Sequence, residues 1–181
     1  MSDTLPKILI VNDDQEVVDL YVEKFRSCGF EAAGALGGAQ GLQTAKQIKP
    51  DIIFTGIMKP HATPQMTGFE IMKELQADPS TNKIPFIIFS HRGLESDRQL
   101  AIQMGARAFL VQGRITPNEV VALAQGILRG ANYRVSINVN EMDGGRLAAD
   151  LKLTGPIVLD IFKTADSNTN FAAKVVTSTS P

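Results

Sequence analysis

Short apolar runs with no polar alternation constrain this chain more than any other feature. Ile8-Leu9-Ile10-Val11, Ile52-Ile53-Phe54, Phe86-Ile87-Ile88-Phe89 and Ala108-Phe109-Leu110-Val111 have the pattern of strands covered on both faces. Amphipathic helical patterns separate them. After the first run, Asp13 or Asp14 can cap a helix whose apolar positions Val17, Leu20, Tyr21 or Val22, Phe25 and Cys28 recur at spacings of three and four, and Gly29 ends it. A weaker second strand runs from Glu31 to Leu36, and a helix near Ala39 to Ile48 stops before Pro50. Thr67-Gly68-Phe69-Glu70 is a capping box that opens a third helix. A fourth helix spans Leu94 to Met104. Thr116-Pro117-Asn118-Glu119, a second capping box with Pro at the first helical position, opens a fifth carrying Val120, Leu123, Ile127 and Leu128 on one face.

Strands alternating with helices imply parallel pairing through right-handed crossovers. The expected fold is therefore an α/β, doubly wound, five-stranded parallel sheet. Sites in such folds lie beyond the carboxyl ends of the strands. The residues to weigh are thus Asn12-Asp13-Asp14, Gly56 to Pro60, Ser90-His91 and Gln112-Gly113.

Composition excludes several other roles. The 181 residues are 44% hydrophobic and 20% charged with a formal net charge of -1, and no cluster of Lys and Arg supplies a nucleic-acid footprint. The longest apolar runs are too short to cross a bilayer. Met1-Ser2-Asp3-Thr4 has neither the basic start nor the apolar stretch of a signal peptide. The single cysteine, Cys28, forbids an internal disulfide and reads as a buried structural thiol. The expected location is the cytoplasm.

Six segments in order carry a family resemblance: Ile8 to Asp14, Lys49 to Ile53, Ile57-Met58-Lys59-Pro60, Gly68 to Met72, Ile84 to Ile88, and Gly105 to Val111. On these, residues 7 to 129 resemble the receiver domain of bacterial two-component response regulators, a flavodoxin-like fold. Carried over position by position, the resemblance implies a degenerate phosphorylation pocket made of Asn12, Asp13, Asp14, Gly56, Ser90, Phe109 and Gln112. Asn12 stands for the first of the usual acidic pair after the first strand, Asp13 matches the second, and Asp14 adds a carboxylate. Gly56 stands at the phosphoacceptor aspartate, Ser90 matches the phosphoryl-binding hydroxyl, Gln112 replaces the lysine, and Phe109 matches the aromatic reporter of conformation.

The departures bear on chemistry. Aspartyl phosphorylation needs a carboxylate oxygen as nucleophile, and glycine has none. The same aspartate normally ligates magnesium, so part of the metal cage goes with it. A neutral Gln112 cannot balance a phosphoryl group carrying roughly −1.5 to −2 charges. Asp51 is a poor substitute, because at about 3.3 Å per residue it lies some 16 Å from Gly56. Asp13 and Asp14 have capping as their main role, with weak magnesium binding as the alternative. Thr55 sits on a buried strand, out of reach of a kinase.

Two local features add alternatives. His61 to Thr67 is about four residues longer than the family's usual link, which reads as a neutral insertion or as a lip over the strand ends. His61 and His91 fall near Asp13 and Asp14, a set that can ligate a transition metal. Beyond residues 1–129, residues 130–181 change to period two. Tyr133, Val135, Ile137 and Val139 alternate with polar residues, Asp143-Gly144-Gly145, Gly155-Pro156 and Asp166 to Asn170 are turn signals, and Ile157 to Phe162 and Phe171 to Val176 read as strands. Arg146 to Leu153 suits strand or helix. This small β-rich extension needs a cover for its apolar face: the first domain, a second copy in a homodimer, or a partner.

The reading that follows is a non-enzymatic signalling protein that acts through protein–protein contacts without aspartyl phosphorylation, with no cofactor expected. A phosphorelay partner that docks a histidine kinase is the alternative, and a small-ligand or metal-binding α/β domain is a third. The last lacks support from a Gly-rich phosphate loop or a nucleophile–base pair.

Overall fold

The computed structural model describes residues 4–58 and 66–130, together with the backbone of three strands within 133–176. The chain divides into two compact units, Met1–Val121 and Ala122–Pro181. The first holds strands β1 (Lys7–Asn12), β2 (Glu31–Leu36), β3 (Ile52–Thr55), β4 (Phe86–Ser90) and β5 (Ala108–Val111). Helices α1 (Gln15–Ser27), α2 (Gly38–Ile48), α3 (Gly68–Ala77) and α4 (Glu95–Gln103) alternate with them, and α5 (Pro117–Leu128) follows β5. The sheet order is β2-β1-β3-β4-β5, every described pair is parallel, and the expected doubly wound fold is the observed one. The order reverses between β1 and β3, which makes the ends of those two strands the switch point.

Strand burial follows position in the sheet. β3 and β4 are buried along their whole length, as is β1 after Lys7, whereas β2 and β5 lie at the edges and alternate or are half-buried. One face of the sheet meets α1 through an aromatic cluster. Tyr21 is edge-on to Phe89 at 4.8 Å, and Phe25 lies 5.3 Å from both Phe30 and Phe54. The other face packs Leu9, Val11 and Ile53 against Ala45 of α2 and Ile71, Met72 and Leu75 of α3.

The inward stripe of α1 is Val18, Tyr21 and Phe25. Leu20, expected on that face, is 52% exposed. At 3.6 residues per turn it points about 140° away from Phe25. Cys28, expected to be buried, is only half-buried, because it is the residue at which the helix ends. Leu128, the last residue of α5, is likewise exposed, while Val120, Val121 and Ala124 are buried.

Both capping boxes form. Thr67 Oγ1 accepts from the Glu70 N–H, and Glu70 accepts from the Thr67 N–H at 2.7 Å. Thr116 and Glu119 repeat the arrangement at α5, again with a 2.7 Å bond to the carboxylate. The backbone N–H and then the hydroxyl of each threonine hold the Glu70 and Glu119 carboxyls below the usual carboxylate range.

The second unit contains an antiparallel sheet ordered β6-β7-β8, made of Tyr133–Ile137, Ile157–Lys163 and Phe171–Val176. The three expected strands are present, and β6 ends at Ile137. Register puts Tyr133, Val135 and Ile137 opposite Ile161, Leu159 and Ile157, and puts Leu159 and Ile161 opposite Val175 and Ala173. These positions share one face, while Arg134, Asp160 and Lys174 line up in a row on the other. The expected turns, Val139 and the Arg146 to Leu153 segment lie outside the described residues.

Candidate functional site at the strand ends

The carboxyl ends of β1, β3, β4 and β5 converge on a cavity of about 40 Å³, whose lining includes Asn12, Asp13, Gly56, Met58, Ser90 and Gln112 with the exposed His91 and Arg92. The sheet itself sets this convergence. Gly56 N–H donates to Val11 O at 2.9 Å, and Gln112 N–H donates to Ser90 O at 2.8 Å, so adjacent strand ends are held in register. Five of the seven residues expected in the pocket therefore come together: Asn12, Asp13, Gly56, Ser90 and Gln112.

The other two stand apart from the lining. Asp14 is the N-cap of α1, and its carboxylate accepts from Glu16 N–H at 2.9 Å and Val17 N–H at 3.5 Å. Phe109 is buried with Ile57, Ile88 and Ala101, and the Arg98 guanidinium lies over its ring at 5.1 Å. Ile57 belongs to both groups, because it also lines the cavity.

Asn12 is almost fully buried, at 4% exposure. Its Oδ1 accepts from the Asp14 N–H at 3.0 Å, which fixes the amide and turns Nδ2 inward. A β-carbon added to Gly56 would lie 3.1 Å from that Nδ2 and 3.5 Å from Met58 Cγ. The backbone of Gly56 is outside the left-handed region, so the glycine matters for its missing side chain and not for its φ. Ser90 is buried; its Oγ accepts from Arg92 N–H at 3.1 Å. Gln112 Nε2 donates to Phe89 O at 3.1 Å, tying the end of β5 to β4.

The alternative phosphoacceptors lie elsewhere. Asp51 accepts from Lys7 N–H at 2.7 Å at the opposite end of the sheet. Thr55 is fully buried and donates to Gly56 O at 3.1 Å. The lining does not fit a magnesium cage either, because it offers one carboxylate, Asp13, while an amide N–H group faces inward where the family pattern has a second carboxylate. Among the described residues no group of three or more His, Cys, Asp and Glu is placed to hold a metal. His91 lies on the lining, and His61 with the rest of the loop through Gln65 lies outside the described residues. Arg92 was not singled out from sequence; it directly follows the strand-end pair Ser90-His91, a position that signals a rim residue. Met58, within the Gly56 to Pro60 stretch, is buried in a left-handed conformation, φ 49°, which no sequence pattern marks.

A family model described as the response regulator receiver domain matches residues 8–125. The chain belongs to that family. It is a receiver of two-component signalling, a domain class that communicates with other signalling proteins such as histidine kinases. The receiver is 27% identical over 150 residues to the alkaline phosphatase synthesis transcriptional regulatory protein PhoP of Bacillus subtilis (strain 168), covering 81% of this chain and 60% of that one. It is 29% identical over 148 residues to the transcriptional regulatory protein PrrA of Mycobacterium tuberculosis (strain ATCC 25618 / H37Rv), with 82% and 60% covered. The chain thus spans about 60% of the length of these curated relatives. Among solved structures, the chemotaxis protein CheY4 of Vibrio cholerae matches in fold with a TM-score of 0.61 at 22% identity, covering 67% of this chain and 98% of that one. A putative response regulator from Chloroflexus aurantiacus J-10-fl matches with a TM-score of 0.61 at 25% identity, covering 70% and 99%. Among the described residues no helix is long and apolar enough to cross a membrane.

Proposed function

We propose that this receiver works as a protein–protein interaction module without aspartyl phosphorylation. The observation that carries the reading is Gly56, which stands at the end of β3 on the wall of the strand-end cavity with no carboxylate to attack a phosphoryl donor. Two further observations support it. Gln112 holds its amide on Phe89 O in place of a charged group, and Asp51 and Thr55, weighed as substitutes for the missing aspartate, are remote or buried. The contact surface includes α4 and its N-cap, where Leu94, Leu100 and Ile102 are exposed at 47%, 42% and 62%. Ile57 links the cavity to this region through its packing with Phe109 and Ala101. The partner is a histidine kinase or another signalling protein.

The test is to incubate the full chain with acetyl phosphate and magnesium, and separately with beryllofluoride, and record intact mass and backbone amide spectra. The expected result is an unmodified mass and unchanged strand-end resonances. A stoichiometric, acid-stable and hydroxylamine-labile phosphoryl adduct would overturn the reading. Pull-down of a histidine kinase domain by the wild type, weakened by Ile102→Glu, tests the surface.

A further inference from the structure

The space beside Gly56 is lined for the opposite sign of ligand from a cation site. Asn12 is the decisive residue. It is buried, its Oδ1 is engaged by the Asp14 N–H, and its Nδ2 lies 3.1 Å from the position a β-carbon of residue 56 would take. Among the described residues no acceptor stands on that Nδ2, which faces the cavity and is free to donate to a ligand there. An aspartate at position 12 would put an acceptor oxygen there; asparagine puts a donor. Ser90 adds a second donor, because its Oγ accepts from Arg92 N–H and its own O–H remains to be given. The lining also carries the Asp13 carboxylate, which opposes an anion, and the exposed residues His91 and Arg92.

We propose that this cavity binds a carboxylate group, held by Asn12 Nδ2 and the Ser90 hydroxyl in the space where other receivers carry their own aspartate side chain. Charge favours this group over phosphate, because beside the Asp13 carboxylate a carboxylate ligand brings one negative charge and a phosphate roughly −1.5 to −2. A carboxylate also has two oxygens to satisfy both donors at once, with charge-assisted bonds. The proposal shares with the proposed function the premise that residue 56 brings no carboxylate. Its test uses no phosphoryl donor, so the two fail separately.

The probe is sodium acetate, titrated into the full chain against sodium chloride at equal ionic strength, with ¹⁵N–¹H spectra as readout. Saturable shifts of the Asn12 side-chain amide and of the Gly56 and Ser90 backbone amides are expected, with a dissociation constant on the order of millimolar for so small a ligand. Asn12→Asp should weaken binding at least about tenfold, the loss of one charge-assisted bond. Gly56→Ala, whose methyl enters the cavity while Asn12 stays, should weaken it as well and covers the case in which Asn12→Asp does not fold. Non-saturating shifts, equal shifts with chloride, or wild-type affinity in Gly56→Ala would overturn the proposal. Comparing acetate with an N- and C-blocked aspartate separates the sources. Binding of both points to an acidic side chain of a partner, and binding of acetate alone points to a free small carboxylate.

Discussion

Gly68 is the position where one methyl group should do the most damage near the site. It opens α3 directly against the strand-end loop, and its N–H donates to Ile57 O at 3.0 Å. A β-carbon there would overlap Gly56 O and lie 2.9 Å from Thr55 Oγ1 and 3.1 Å from the Gly56 carbonyl carbon. None of these can rotate aside, because two are backbone atoms and the Thr55 side chain is fully buried and bonded to Gly56 O. The start of α3 must therefore shift. Overpacking of this kind costs about 1–3 kcal/mol. Loosening the bond to Ile57 adds about 0.5–1.5 kcal/mol. Alanine recovers a few tenths through its better helix propensity, up to about 1 kcal/mol in a helix interior. Gly68→Ala should thus destabilise the receiver by about 2–3 kcal/mol, a large share of the roughly 5–15 kcal/mol typical of a domain. Gly93→Ala is the control. Its β-carbon would meet Val111 Cγ2 at 3.1 Å, a terminal methyl that can turn away, so the change should stay within about 0.5 kcal/mol. Urea denaturation read at constant m-value measures both. A loss below about 1 kcal/mol in Gly68→Ala, or one matching Gly93→Ala, would refute the claim that this close approach is rigid.

Other substitutions test separate parts of the structure. Phe25→Ala removes a fully buried ring that contacts Phe30 and Phe54, and should lower stability by about 3–5 kcal/mol in the same urea assay. Asp14→Ala should cost about 0.5–2 kcal/mol through loss of the α1 cap, and should leave a magnesium titration followed by amide shifts unchanged. Glu70 and Glu119 are held below the usual carboxylate range by their threonine partners, so their contribution is present above the unfolded-state pKa and lost as pH falls through the lower folded one. The urea midpoint should therefore decline on acidification from the ordinary glutamate range downward, and Glu70→Gln with Glu119→Gln should flatten that decline.

How much of this was legible depended on which forces set each feature. β1, β3 and β4 were readable because strands buried on both faces leave unbroken apolar runs, and the capping boxes were readable because Thr67 with Glu70 and Thr116 with Glu119 are local chemistry. The phase of α1 was harder. Its sequence offers apolar residues around more than one stripe, and only packing against Phe54 and Phe89 selects Val18, Tyr21 and Phe25 over Leu20. Strand-end position marked Asn12, Asp13, Gly56, Ser90 and Gln112, which line the cavity, but it did not mark Arg92 or the cavity's polarity. That polarity depends on which way the Asn12 amide faces, and a backbone N–H two residues later decides it. The left-handed turn at Met58 has no sequence sign at all, since methionine gives no local preference for it.

The exchanges at positions 12, 56 and 112 make physical sense as a set. The family pattern places three carboxylates and one ammonium around the strand ends, and this chain keeps one carboxylate, Asp13, on the lining. A lysine retained at position 112 would then face a half-buried site with two of its balancing charges gone, and burial penalises an unpaired ammonium. Glutamine removes that penalty, and its Nε2 bonds Phe89 O and so joins the ends of β4 and β5. Asn12 follows the same logic at β1. It carries no charge, and its Oδ1 accepts the bond that orders the turn into α1. Each of these two polar side chains makes a hydrogen bond that shapes the sheet end and lacks the charge that phosphoryl and magnesium chemistry would use. Framework and chemistry are therefore separable at these positions: the receiver fold forms around strand ends of altered polarity.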